Sequence, residues 1–196
     1  MEKDMTVGNP AKIIWNFTLP VVTGNIFQQF YNMVDTVIVG KFVGTNALAA
    51  VGATGTICFL ILGFLMGLTA GFTVLTSQRF GAGDMAGMRK TVGSAAVLSV
   101  IISIIMTVVS MAGMKPLLKL MNTPEDIFHD AYMYIMIICA GIFAQVLYNL
   151  LAGILRALGN SKTPLYFLLF SAVLNILLDL LLIIVFHLGA PGGAYA

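Results

Sequence analysis

The stretch Pro20–Gly44, PVVTGNIFQQFYNMVDTVIVGKFVG, lies in a long apolar run and yet carries Gln28, Asn32 and Asp35. Their i, i+4, i+7 spacing stacks all three on one face of a helix. An ionisable group inside a membrane span is costly and turns to a bundle interior or a wet cavity. The stretch therefore reads as a membrane helix that points a polar, protonatable stripe inward.

Composition supports that reading along the whole chain. Hydrophobic residues make up 59% of the 196 positions and charged residues 9%, with a mean hydropathy of +0.99, which excludes an ordinary soluble domain. Charge-free windows cover Ile13–Val34, Phe42–Gln78, Thr91–Met114, Ala131–Leu155 and Thr163–Leu178. Most reach the roughly 20 residues that cross a bilayer as a helix. The fold class is an all-α polytopic membrane protein, with the lipid bilayer as its first partner. A net charge of +2 without a basic cluster argues against nucleic acid. Cys58 and Cys139 fall within apolar spans and read as packing residues rather than a disulfide. Glu2, Lys3 and Asp4 precede an apolar run too long for a signal peptide and without a cleavage site, so insertion is expected to use the first span.

Across residues 1–196, helices are expected over about 13–39, 48–76, 91–113, 124–155 and 164–187, with a sixth opening near 193 and cut off. Asn9-Pro10 is a helix-start signal, and Pro20 is a kink point. The Gly63/Gly67/Gly71 ladder lets another helix approach closely and reads as packing. The segment SQRFGAGDMAGMRK is expected as a loop. It lacks a Gly-Lys-Ser/Thr ending and a preceding strand, so it is not read as a phosphate-binding loop. Ser99, Ser103, Thr107 and Ser110 line one side of the third helix as interhelical glue. Thr123 is the expected cap of the fourth, and Gly159-Asn160 the turn before the fifth. Placing the N-terminus inside puts Lys3, Lys12, Arg79, Arg89, Lys90, Arg156 and Lys162 on the cytoplasmic side, against Lys41, Lys115 and Lys119 outside.

In that topology the first and fifth helices both run outward. Asp35 lies about 33 Å beyond Ile13, and Asp179 about 22 Å beyond Pro164, along straight helices. Three helices carry polar stripes: Gln28/Asn32/Asp35, Gln145/Tyr148/Asn149 and Asn175/Asp179. Asp35 is alternatively a helix-end carboxylate paired with Lys41, whereas Asp179 has no basic residue within a turn. Two carboxylates and several amides on three helices favour a shared cavity. Burial penalises an ionised carboxylate, so such a site holds a proton, Na⁺ or an organic cation, and their competition is the physical basis of antiport. His129 and His187 fall at predicted interfaces without metal-ligand companions. No catalytic triad or resident metal site is present, so neither an enzyme nor a cofactor is expected.

The segment Asp35-Thr36-Val37-Ile38-Val39-Gly40-Lys41-Phe42-Val43-Gly44, followed by Ala47-Leu48-Ala49-Ala50-Val51-Gly52, resembles the first helix and loop of multidrug and toxic compound extrusion (MATE) transporters. GFLMGLTAGFTVLTSQRFGAGD is similar to that family's second helix and turn. LRALGNSKTP is similar to its turn between helices four and five, and Asn175-Ile176-Leu177-Leu178-Asp179 to its fifth-helix motif. The resemblance covers essentially the whole chain and implies the N-terminal six-helix lobe of a two-lobe, 12-helix transporter, with helix 6 truncated. The missing C-terminal lobe would supply the other wall of the cavity.

The resemblance is closest to the DinF-type branch. There it implies that Asp35 and Asp179 take part in cation coupling, with H⁺ or Na⁺ as the coupling ion, and that Gln28 and Asn175 are their polar neighbours. Asn149 is a less securely aligned member of the cavity, and Asn32, Gln145 and Tyr148 complete its candidate polar lining. The expected function is export of small amphipathic organic cations in exchange for H⁺ or Na⁺ across the cytoplasmic membrane of a prokaryote. A flippase of lipid-linked saccharides from the same superfamily would need a basic cavity, and Arg156 is the one basic residue near a helix interior. A non-transporting structural subunit would not need buried carboxylates.

Overall fold

Asn9 starts the first helix by accepting a hydrogen bond on its side-chain oxygen from the Ala11 N–H at 3.0 Å, with Pro10 as the first helical residue. That residue pair suits a helix start, because proline has no N–H to leave unsatisfied there. The computed structural model describes residues 8–195. Lys3 and the other residues of 1–7, and Ala196, lie outside it.

The described chain is helical from end to end: α1 (Pro10–Phe42), α2 (Thr45–Gly81), α3 (Met85–Leu120), α4 (Glu125–Ala140), α5 (Ile142–Ala157), α6 (Lys162–Asp179), a π-helical turn (Leu180–Val185) and α7 (Ala190–Tyr195). Among the described residues three helices are long and apolar enough to cross a membrane, α2, α3 and the continuous Lys162–Val185 segment; α4 and α5, taken together as one bent span, pass the same test. α1 is long enough at 33 residues, but its amides and Asp35 lower its apolarity below that of the others.

Several expected boundaries are corrected. The helix expected over about 124–155 is broken at Gly141, where α4 and α5 meet at 45°. The Gly141 N–H is shared between the Ile137 and Ile138 carbonyls, and glycine is the residue that most readily permits such a bend. The helix expected to stop near 113 runs on through Pro116 to Leu120, because Met114 and Leu118 are fully buried in the core and that packing outweighs the proline penalty. The expected 77–90 loop is mostly helix: α2 continues to Gly81, Gly83 turns the chain with φ 74°, and the Asp84 carboxylate accepts from the Gly87 N–H at 2.8 Å to cap α3. Thr123 is not the cap of α4, since Pro124 occupies that position without a side-chain bond. The fifth expected helix leaves α geometry at Leu180, and the sixth begins at Ala190 rather than near 193.

α2 is the scaffold, packing against α3, α4 and α5, while α1 packs chiefly on α6. One apolar cluster joins Ile57 and Leu65 of α2, Met114 and Leu118 of α3, Ile135 and Cys139 of α4, and Ile142 and Val146 of α5. A second, Ile38, Val39, Ala47 and Ile183, holds α1, α2 and the π turn together. Between lipid-solvated helices, such contacts stabilise through close packing rather than water exclusion. The α3 hydroxyls contribute size rather than interhelical hydrogen bonds: Ser103 donates to its own helix at the Val100 carbonyl, and Ser99 Oγ has no partner. The glycine ladder packs against no described element. Side chains added at Gly63, Gly67 or Gly71 would meet no atom within 4 Å.

The tightest approach between α2 and α5 is at Gly153, where an added Cβ would collide with the Thr73 hydroxyl. Gly153→Val is expected to lower stability by about 1–3 kcal/mol through overpacking. Thr73→Ala in the same chain should recover part of the loss. Thermal unfolding of the detergent-solubilised protein, read by circular dichroism, checks both.

Candidate functional site

Asp179 is the last α-helical residue of α6, and the chain passes into the π turn immediately after it. Such widened turns recur at functional positions in helices. Here the π turn carries Ile183 into the apolar cluster with Ile38 and Val39 of α1. Asp179 itself is 0% exposed.

Asp35 projects from α1 onto the same spot. The two carboxyl groups close on one point without a hydrogen bond between them. Both face Gly193 of α7: a Cβ there would lie 3.5 Å from Asp35 Oδ1, 3.8 Å from Asp179 Oδ1 and 3.4 Å from Val39. Backbone without a side chain thus closes over the pair. Asp35 Oδ1 and both Asp179 oxygens are buried without a hydrogen-bond partner, as is the Asn175 side-chain oxygen one turn earlier on α6. Lys41 does not neutralise Asp35. Its ammonium sits over the Phe42 ring, 5.9 Å from the centroid, and the salt bridge found among the described residues is Arg79–Asp84. The alternative of a helix-end carboxylate paired with Lys41 is therefore set aside. The Tyr134 phenol of α4 lies within electrostatic reach of both carboxyls.

The other candidate residues divide between two places. Gln28 joins Gln145, Tyr148 and Asn149 in a separate pocket of about 80 Å³ where α1, α2, α5 and the start of α6 meet. Asn25, Arg156 and Ser161 complete its polar lining. The Asn149 amide donates to the Gln145 carbonyl at 2.9 Å, leaving its oxygen free. Asn32 belongs to neither group: it is exposed and its amide reaches Gln29 at 3.4 Å. The single polar face expected of α1 is thus split, Gln28 lining the pocket, Asp35 the carboxyl pair and Asn32 the outer surface. His129 and His187 are both exposed, and no cluster of potential metal ligands occurs among the described residues.

Sequence reasoning missed Tyr134, Asn25 and Gly193. Asn25 carried a usable signal, since it precedes Gln28 by three residues on the same helical face. Tyr134 sits in an apolar run where an aromatic residue reads as core. Nothing local marks Gly193, because the chain reaches the carboxyl pair there only after the π turn.

The MatE family profile matches residues 20–181. Over 193 residues the chain is 36% identical to the probable multidrug resistance protein YpnP of Bacillus subtilis, covering 98% of this chain and 43% of that protein. It is 27% identical over 188 residues to the DNA damage-inducible protein F of Escherichia coli, covering 94% and 40%. Among solved structures, a crystal structure of MATE in complex with MaD5 superposes with a TM-score of 0.92 at 28% identity, over 98% of this chain and 44% of that one. The chain thus spans about two fifths of the length of the relatives it matches. It belongs to the MatE family of multi-pass multidrug efflux transporters and has the fold of their N-terminal lobe.

Proposed function

We propose that this lobe carries the ion-coupling site of an antiporter that exports amphipathic organic cations, with Asp35 and Asp179 as the coupling pair. The observation that carries the reading is the pair itself: two carboxyl groups turned to one point between α1, α6 and α7, with three oxygens unpartnered. Like charges held together away from water repel, and a shared proton or a bound cation relieves the repulsion. Either ion therefore occupies the site when the lobe is closed around it. Asn175 adds an uncommitted oxygen, which suits Na⁺ coordination as well as proton sharing.

An ion that binds one arrangement of α1 against α6 more tightly than another shifts the population between them. Release of an organic cation outside is driven in this way by ion entry at the pair. The seven-to-three distribution of basic residues supports an inside N-terminus in the cytoplasmic membrane. The cavity for the whole substrate is completed by a second lobe, as the two-fifths coverage of relatives suggests. The relatives' name as multidrug resistance proteins supports a broad organic substrate range.

The test is efflux of a fluorescent lipophilic cation from vesicles carrying the two-lobe protein under an imposed pH or Na⁺ gradient. Asp35→Asn and Asp179→Asn are each expected to lower gradient-driven efflux by about tenfold or more, and wild-type rates in both variants would refute the coupling role. The gradient that drives the wild type identifies the ion. Neutralising one member also removes the repulsion, so Asp179→Asn should stabilise the purified protein by about 0.5–2 kcal/mol. Thermal melts of the purified wild type and variant check it.

A further inference from the structure

The pocket where α1, α2, α5 and α6 meet is electrostatically opposite to the carboxyl pair. Its one charged wall residue is Arg156, and no acid lines it. Among the described residues Arg156 has no ion-pair partner. A guanidinium in a partly enclosed pocket without a counter-charge favours an anion, which it holds through paired N–H donors.

The neighbouring walls suit the same ligand. Gln28 and Gln145 also line the pocket, and a glutamine side chain carries an N–H₂ donor group. Ser161, 6% exposed, also lines it, and its hydroxyl stands outside the Asn160–Thr163 pair that caps α6. Leu165 and Leu168 form an apolar wall on the other side. At about 80 Å³ the space exceeds that of two waters at about 30 Å³ each, and is far below the several hundred Å³ of a drug-sized site. It therefore fits a headgroup, with any attached chain running out along the leucines.

We propose that this pocket is an anion subsite that takes the phosphate or carboxylate group of an amphiphile, with Arg156 as the counter-charge and the glutamine amides as hydrogen-bond donors. It is distinct from the coupling pair. Gln28 and Asp35 are seven residues apart on α1, about 10 Å along the axis. The assignment holds whichever ion drives transport, and transport itself need not be measured to test it.

The test is calorimetric binding of hexyl phosphate, inorganic phosphate and hexyltrimethylammonium to the two-lobe protein purified in a non-ionic detergent. Hexyl phosphate should bind, and Arg156→Gln should weaken it by roughly tenfold or more. Arg156→Lys, which keeps the charge but loses the paired donors, should weaken it less than Arg156→Gln does. Gln145→Leu should weaken binding less than Arg156→Gln does, providing a second reading if the latter folds poorly. Tighter binding of hexyl phosphate than of inorganic phosphate supports an amphiphile or lipid headgroup as the source, and equal affinities support a free anion. Binding of hexyltrimethylammonium at least as tight as that of hexyl phosphate, or hexyl phosphate affinity unchanged in Arg156→Gln, would overturn the proposal.

Discussion

Two carboxyl groups held near one another inside a membrane bundle, Asp179 fully buried and Asp35 half-buried, have little water to share their charge with, and much of this fold is arranged around that constraint. α1 and α6 must pack closely to bring Asp35 and Asp179 together, and Gly24 permits it: a Cβ there would lie 3.3 Å from Leu168. The π turn after Asp179 then carries Ile183 into the apolar cluster with Ile38 and Val39. The chain returns as α7 with Gly192 and Gly193, and Gly193 comes close enough to cover the pair. Each step raises the cost of an unrelieved charge.

The rest of the lobe separates support from chemistry. The larger apolar cluster, spread over α2, α3, α4 and α5, contains no ionised group. The candidate carboxyls and amides lie instead along α1 and α6 and where these meet α5. The bend at Gly141 connects the two regions, because it lets α4 bring Tyr134 towards the carboxyls while α5 carries Gln145, Tyr148 and Arg156 to the pocket. A straight helix would hold all four on one axis. The lobe consequently has two polar centres of opposite character, an acidic pair and a cationic pocket.

Much of this was legible in the chain. Charge-free windows such as Phe42–Gln78 and Thr91–Met114 are long enough to cross as helices, which satisfy every backbone group within the segment. Gln28, Asp35 and Asp179 stood out because a polar residue in an apolar run has few reasons to be there. Motif resemblance then assigned the lobe, and the family match agrees with it. Helix ends were less legible: the stop expected before Pro116 and the continuous helix expected through Gly141 both yielded to tertiary packing.

Local spacing determined which residues share a helical face, because the α-helical repeat is a property of the backbone. Only the tertiary structure decided which of those residues meet. Gln28, Asn32 and Asp35 share one expected stripe and end in three different surroundings, because a face about 10 Å long crosses several neighbours at different depths. The partnership of Asp35 with Asp179, and the cover supplied by Gly193, likewise depend on helix crossings and a π turn. Those are set by contacts between residues far apart in the chain.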